Sequence, residues 1–321
     1  MMRKLKLLGA ALIATTGFSS AGYAATPFDG INVLVGTTFN SQSSDIQGVL
    51  AAGGNTTLFN YSVNSLAAAT PYGGAGGWGL VVGGNLNFTN GSVGTLVTNP
   101  AKTYYGGTLS GAANSVNYTA GTFTGASPIN FGSLMSQATS ISTNLAGYAN
   151  TGTATLSGSS LTLTGVTNTA GVNVFTVSGT DLQATHSIAV NNVNTSTGTI
   201  LVNVTGAFAQ LAAVNGELPF DPFGGRVLFN FNSATQVNFN NTGLHASVLA
   251  PNAQITSGSS LTGTGGHLQG IAIANSWNGD FQVHTAALPD VLLAVPEPET
   301  YAMMLAGLGL MGFVVRRRRQ V

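Results

Sequence analysis

The sequence predicts an all-β protein, a β-solenoid with one amphipathic helix packed on it, followed by an apolar helix at the C-terminus. Three observations carry that expectation. The body is rich in Gly, Ser, Thr, Asn and Ala, yet runs of β-branched and aromatic residues recur along it, which a disordered low-complexity chain lacks. One block repeats at an offset of 30 residues: Val49-Leu50-Ala51-Ala52-Gly53-Gly54-Asn55 aligns with Gly79-Leu80-Val81-Val82-Gly83-Gly84-Asn85. A single stretch near the middle departs from strand patterning and takes helical spacing.

The elements follow in chain order. Arg3, Lys4 and Lys6 precede a short apolar run, Leu7–Thr15, and Gly22-Tyr23-Ala24 then places small residues at the −3 and −1 positions. This is the pattern of a secretory signal peptide over residues 1–24, cleaved after Ala24, with Ala25 as the second choice. The body, residues 25–290, carries strand runs at Ile31–Val35, Val49–Ala52, Leu80–Val82, Val172–Val177, Ile200–Val204, Arg226–Phe231 and Val237–Asn240. Asn-Gly pairs at 90–91, 215–216 and 278–279 signal tight turns. Each 30-residue copy reads as apolar strand, Gly-Gly corner, polar strand. One copy cannot bury its apolar side alone, but stacked copies can.

Ser127 as N-cap and Pro128 at the first helical position open a helix over about residues 128–147. Phe131, Leu134, Met135, Ala138, Ile141, Leu145 and Tyr148 form its apolar stripe, and Asn150 and Gly152 supply a stop. A looser repeat pairs Ser247-Val248-Leu249-Ala250-Pro251-Asn252-Ala253 with Gly270-Ile271-Ala272-Ile273-Ala274-Asn275-Ser276, a spacing of about one solenoid coil.

The last segment, 291–321, contains Pro296-Glu297-Pro298, an uncharged run Thr300–Val315, and Arg316, Arg317, Arg318 and Arg319. Residues 300–315 as a helix rise about 24 Å, short of the roughly 30 Å of bilayer hydrocarbon, and the arginines belong on the cytoplasmic side. The three-part order resembles the PEP-CTERM sorting signal of Gram-negative bacteria. That resemblance implies recognition by an exosortase-type processing enzyme and cleavage near the triplet. The helix is then a transient anchor in the inner membrane, and the destination is the cell surface or extracellular matrix.

Composition excludes several functions. Between Ala25 and Ala294 the only cations are Lys102 and Arg226, against Asp29, Asp45, Asp181, Glu217, Asp221, Asp280 and Asp290, a net charge of −5. Such a body offers no basic patch for nucleic acid. With no cysteine there is no disulfide framework, thiolate metal site or cysteine nucleophile. His186, His245, His267 and His284 stand at no short-range ligand spacing, so a zinc site requires convergence in space. No Gly-x-Ser-x-Gly elbow occurs. Asp29 and Asp45 admit two readings: a Ca²⁺ shared with backbone carbonyls, or a strand end at Asp29 and a turn cap at Asp45 before Gly48. The Gly-Gly-Asn turns lack a phosphate-loop lysine and read as corners.

The blocks Phe28-Asp29-Gly30-Ile31-Asn32-Val33-Leu34-Val35 and Ser44-Asp45-Ile46-Gln47-Gly48-Val49-Leu50-Ala51-Ala52-Gly53-Gly54-Asn55, with the closing Leu249-Ala250-Pro251-Asn252-Ala253, are similar to the choice-of-anchor A domain over about residues 28–285. The closing block also resembles the last coils of bacterial ice-binding β-solenoids. The family implies an anchored surface protein and supplies no catalytic residues. The expected function is therefore that of a noncatalytic exported surface or matrix protein, with extracellular polysaccharide as candidate partner and no cofactor, metal or catalytic residue assigned. Trp78, Trp277, Tyr61, Tyr72, Tyr104 and Tyr105 are candidate sugar-stacking rings, with core packing the commoner fate of each. Two alternatives stand beside it: an ice-binding solenoid, for which Thr162/Thr164 and Thr262/Thr264 are weak pointers, and an extracellular glycan-active enzyme.

Overall fold

The computed structural model describes residues 28–286, except 96–97, 113–114, 167–170, 213–217, 241 and 258–265. The expected signal peptide, the Pro296–Pro298 triplet, the 300–315 helix, the arginines, Asn215-Gly216 and Thr262/Thr264 lie outside the described residues. In chain order the strands are β1 (Val33–Val35), β2 (Phe39–Ile46), β3 (Leu50–Ala52), β4 (Thr56–Val63), β5 (Trp78–Val82), β6 (Leu86–Thr95), β7 (Asn99–Pro100), β8 (Lys102–Tyr105), β9 (Leu109–Ser110), β10 (Val116–Tyr118) and β11 (Thr122–Phe123). Helix α1 (Phe131–Ala146) follows, then β12 (Gly152–Ser157), β13 (Ser160–Gly165), β14 (Gly171–Ser178), α2 (Gly179–Ala184), β15 (Ser187–Asn191) and β16 (Gly198–Thr205). The chain closes with β17 (Phe208–Ala212), β18 (Val227–Asn230), β19 (Gln236–Asn240), β20 (Ser247–Ser257), β21 (His267–Gln269), β22 (Ala272–Asn278) and β23 (Gln282–His284).

These strands coil into a β-solenoid with three parallel faces. The first runs β14-β16-β18-β20-β22-β1-β3-β5-β8-β11. Space therefore reorders the chain. The polypeptide starts in the middle of the stack, coils outward to β11, returns through α1, and coils back from the far end until β22 docks on β1. That seam is bonded like any other rung, with Gly36 N–H donating to Ala274 O at 3.0 Å and Trp277 N–H to Thr38 O at 2.9 Å. Inside it, Phe39 stacks on Trp277 with centroids 5.7 Å apart.

The 30-residue repeat is the coil itself. Leu50 pairs with Leu80, Ala52 with Val82, Thr56 with Leu86 and Val63 with Val93. A Cβ on Gly53 would stand 2.3 Å from Gly36 O, and one on Gly83 the same distance from Gly53 O. Stacked coils approach too closely at this corner for any side chain. The following asparagine closes the corner as a ladder: Asn55 Oδ1 accepts from Asn85 N–H at 2.9 Å, and Asn85 Oδ1 from Thr108 N–H at 2.8 Å. A second corner places Ser43, Asn60 and Asn90 in the left-handed region, at φ 51°, 50° and 55°, with Asn90 Nδ2 donating to Asn60 Oδ1 at 3.0 Å. Asn and Ser tolerate that conformation because the short polar side chain bonds locally. The Asn-Gly pair at 90–91 therefore bends β6 at a solenoid corner instead of closing a hairpin, and 278–279 ends β22.

Two expectations shift in register. The C-terminal repeat pairs Val248 with Ala272 and then Gln254 with Ser276. The offset is 24 before a bulge and 22 after it, and the even alignment averages the two. The helix begins at Phe131, not 128. Ser127 is spent on a local turn, its Oγ donating to Ile129 O at 2.8 Å, and Asn130 caps α1 by accepting Ser133 N–H at 3.0 Å. Leu134, Ala138, Ile141 and Leu145 are buried, while Tyr148 lies past the helix end and is exposed. A short second helix, α2, was not expected; Ser178 caps it. Helix α1 lies on the outer side of the first face, where Leu34, Ala51, Val81, Leu201, Leu228, Leu249 and Ile273 form a second core with it. The strand runs there are apolar at consecutive positions because both sides of this face are covered. At the α2 end, β12, β13 and β15 form a separate three-stranded sheet. Thr162 and Thr164 lie there, opposite Thr155 and Thr153.

Candidate functional site

Among the described residues no helix lies over the second face, and α2 adjoins it only at the β17 end. The face runs β17-β19-β20-β22-β2-β4-β6-β9, using the second halves of β20 and β22 and the first halves of β2, β4 and β6. Inward positions such as Val237, Ile255, Trp277, Phe39 and Leu86 are buried, so alternation turns their neighbours outward. One outward rank reads Gln210, Asn238, Thr256, Asn278, Asn40, Thr57, Asn87, Ser110, each paired in register with the next. Eight uncharged hydrogen-bonding side chains thus stand one strand spacing apart over about 34 Å; the five from Asn278 to Ser110 are exposed, whereas Gln210, Asn238 and Thr256 are half-buried, with Asn238 Oδ1 and Thr256 Oγ1 shielded from solvent. Phe208 and Phe59, 36% and 43% exposed, lie two positions to either side of that rank. Sequence reading passed over both rings and the rank, because the rank is assembled from residues up to 238 positions apart; Asn40 beside Asn278 is such a pair.

The aromatic candidates fare differently. Trp277 and Tyr61 are core residues, and Tyr104 is buried with its hydroxyl donating to Gly125 O at 2.8 Å. Tyr72 packs with the second core and Tyr105 with the first. Trp78 is half-buried, edge-on to Tyr104 and Phe123 at 6.1 and 5.5 Å, with the Lys102 ammonium 5.7 Å from its centroid. Its ring is already engaged and is no open stacking platform. Arg226 is likewise committed, donating through Nε to Gly198 O at 3.3 Å and through Nη2 to Thr195 O.

Asp45 is no turn cap. It lies on β2 and bridges coils, accepting from Ser65 Oγ at 2.7 Å and from Gln282 Nε2 at 3.0 Å. Asp29 sits in the turn before β1. His186 is exposed beside β15. The third face runs β21-β23-β2-β4-β6-β10, using the ends of β2, β4 and β6, and the other three histidines, unrelated by short-range spacing, meet on it. His245 and His267 approach Nε2 to Nε2 at 2.9 Å, the His284 ring lies 5.1 Å from that of His267, and Asp221 Oδ1 pairs with His245 Nδ1. Among the described residues no group of three or more His, Cys, Asp or Glu is placed to hold one metal ion. No helix among them is long and apolar enough to cross a membrane. Two surface cavities, of about 470 and 310 Å³, are lined by no ionisable side chain.

Residues 24–285 match a family model described as "Putative Ice-binding-like adhesive domain", and residues 294–319 match the PEP-CTERM protein-sorting motif. Comparison with curated proteins gives no match. Among solved structures the chain is similar to an ice binding protein from an Antarctic Biological Consortium, at 13% identity and a TM-score of 0.36, over 83% of this chain and 91% of that one. The domain match covers most of the sequence and the sorting motif follows it directly: the chain belongs to the ice-binding-like adhesive domain family and is an exported surface protein with a PEP-CTERM tail.

Proposed function

We propose that the chain is a noncatalytic adhesive protein that holds extracellular polysaccharide on its helix-free face. The uncharged eight-rung rank of Asn, Thr, Gln and Ser is the observation that carries this reading. Amide and hydroxyl groups repeated at strand spacing suit the hydroxyls of a neutral or mildly charged glycan. Phe59 and Phe208 add apolar area beside them. Each contact is weak, and repetition along a polymer supplies avidity. The two body cations are engaged elsewhere, so adhesion depends little on salt. Export proceeds by cleavage after Ala24, transient anchoring through 300–315, and exosortase cleavage near Pro296–Pro298. The choice-of-anchor A assignment is the finer family reading, supported by the Phe28–Val35 and Ser44–Asn55 blocks.

The test is co-sedimentation of the purified chain with the producer's own exopolysaccharide, with released sugars measured in parallel. The wild type should co-sediment and release no oligosaccharide. The triple variant Asn40→Ala, Thr57→Ala, Asn87→Ala should stay folded and lose most of the binding. Released oligosaccharide that vanishes on replacing one carboxylate overturns the noncatalytic reading. The family description favours one second reading, ice as the ligand. Arrest of ice-crystal growth that the same triple variant abolishes assigns the face to ice.

A further inference from the structure

The third face carries a feature that polymer adhesion does not use. Leu244 and Leu268 pair across adjacent coils and are both fully buried. Their neighbours His245 and His267 therefore both turn outward, and the two rings meet diagonally with Nε2 atoms 2.9 Å apart. The backbone fixes this approach: Leu244 N–H donates to His267 O, and Gln269 N–H to Leu244 O, each at 2.8 Å. Protonation is set from the far side. The Asp221 carboxylate only accepts, so a neutral His245 carries its proton on Nδ1 and leaves the lone pair of Nε2 on the His267 side. A carboxylate behind a histidine that aims its other nitrogen outward is the arrangement that orients and strengthens imidazole ligands in metal sites. The His284 ring lies nearly parallel to that of His267, at 22°, and supports its plane.

We infer that His245 and His267 form a two-imidazole site for a divalent transition-metal ion of the copper(II) or nickel(II) class, oriented by Asp221. The N–N separation matches one class of metal. With bonds of about 2.05 Å, two nitrogens 2.9 Å apart subtend about 90° at the ion, a cis pair of a square or tetragonal site, whereas a tetrahedral zinc pair needs about 3.3 Å. The ion replaces the hydrogen bond between the rings. His267 shifts its proton from Nε2 to Nδ1, and both Nε2 lone pairs then face the metal without net proton release. The other coordination positions open to solvent, since the His245 side chain is 18% exposed and that of Asp221 60%. Water fills them, and hydroxyl or carboxylate oxygens of a neighbouring molecule can replace it.

Titration of the purified full chain with copper(II), nickel(II) and zinc(II) chlorides, followed by calorimetry, tests the assignment. One copper(II) should bind per chain, ahead of nickel(II) and of zinc(II). The paramagnetic resonance spectrum should show hyperfine coupling to two imidazole nitrogens. His245→Gln and His267→Gln should each abolish binding at the same metal concentration, Asp221→Asn should weaken it roughly tenfold, and His186→Gln should leave it unchanged. Thermal melts in chelator check that the variants fold. A wild-type spectrum without two imidazole couplings, or copper binding that survives both histidine variants, overturns the site. Tighter binding of zinc than of copper overturns the cis geometry on which the inference rests.

Discussion

Two outward ranks of the same solenoid, one on the first face and one on the second, have the same backbone and opposite chemistry. On the first face the rank reads Asn203, Asn230, Leu249, Ile273, Leu34, Ala51, Val81, Tyr104 and Phe123. On the second it reads Gln210, Asn238, Thr256, Asn278, Asn40, Thr57, Asn87 and Ser110. Helix α1 decides the difference. It has 16 residues and so spans about 24 Å, roughly five coil spacings, and it covers the apolar middle of the first rank. Where its C-terminal turn needs partners the rank becomes polar: Asn203 Nδ2 donates to Leu145 O at 2.8 Å, a carbonyl at the helix end. Burial of apolar area makes the first face a source of stability. Among the described residues no helix covers the second, and its rungs from Asn278 to Ser110 stay exposed.

The comparison breaks most sharply under a charge. Val81→Asp places an unpaired carboxylate in the second core and removes a fully buried side chain. It should cost about 4 kcal/mol or more and prevent accumulation of folded protein. Asn87→Asp, on the open rank, should change stability by no more than about 0.5 kcal/mol. Paired urea melts decide it, and equal losses at the two positions would mean that the second face is also covered. A smaller effect comes from Asn230→Ala. Asn230 accepts from Ser142 Oγ at 2.6 Å and donates to Ser142 O at 2.9 Å and to Asn203 Oδ1 at 2.8 Å, all buried. Its loss should cost about 1–3 kcal/mol, and hydrogen exchange should speed up first in the C-terminal half of α1.

Much of the fold was legible because the chain repeats at the coil length. The Leu50–Val63 and Leu80–Val93 segments pair at the offset their sequences share, and the Gly-Gly-Asn motif states the corner outright. The seam was not legible. Nothing local ties Val33 to Ala272, and only the return of the chain through α1 brings them together. Trp277 and Tyr61 take core packing, the commoner fate of such rings, because a ring suited to a sugar is equally suited to a core. Both are flanked along their strands by outward polar residues, Asn278 after the first and Asn60 before the second, and that alternation was the available signal. The histidine cluster escaped for a related reason. His245 and His267 lie 22 residues apart, a separation that carries meaning only once the coil length there is known. Of the two readings of Asp45, the turn cap fails because β2 continues through it and its carboxylate bonds between coils.

The smallest effect concerns the interior that the faces share. Tyr61 and Tyr118 are both held neutral by burial. Desolvation pushes the Tyr61 phenol well above its ordinary value, and pushes Tyr118 up to about 12 from 10.0. For a tyrosine whose pKa is raised by folding, the unfolded chain loses its proton first. The folded state then binds more protons than the unfolded state between pH 10 and about 12. Stability is accordingly constant below pH 10 and falls as pH rises through that window. Tyr118 packs edge-on to Phe88 at 6.1 Å near the β11 end of the stack, whereas Tyr61 meets Phe39 at 6.3 Å beside the seam. Tyr118→Phe should flatten the decline in urea-melt midpoint modestly, and Tyr61→Phe should flatten it more, since complete burial disfavours the phenolate most. Tyrosinate absorbance followed in parallel should show Tyr61 ionising only with unfolding and Tyr118 ionising in the folded protein only at about 12. If Tyr118 titrates in the folded protein near 10, the β11 end is open to water and the interior is sealed only from the seam toward the opposite end.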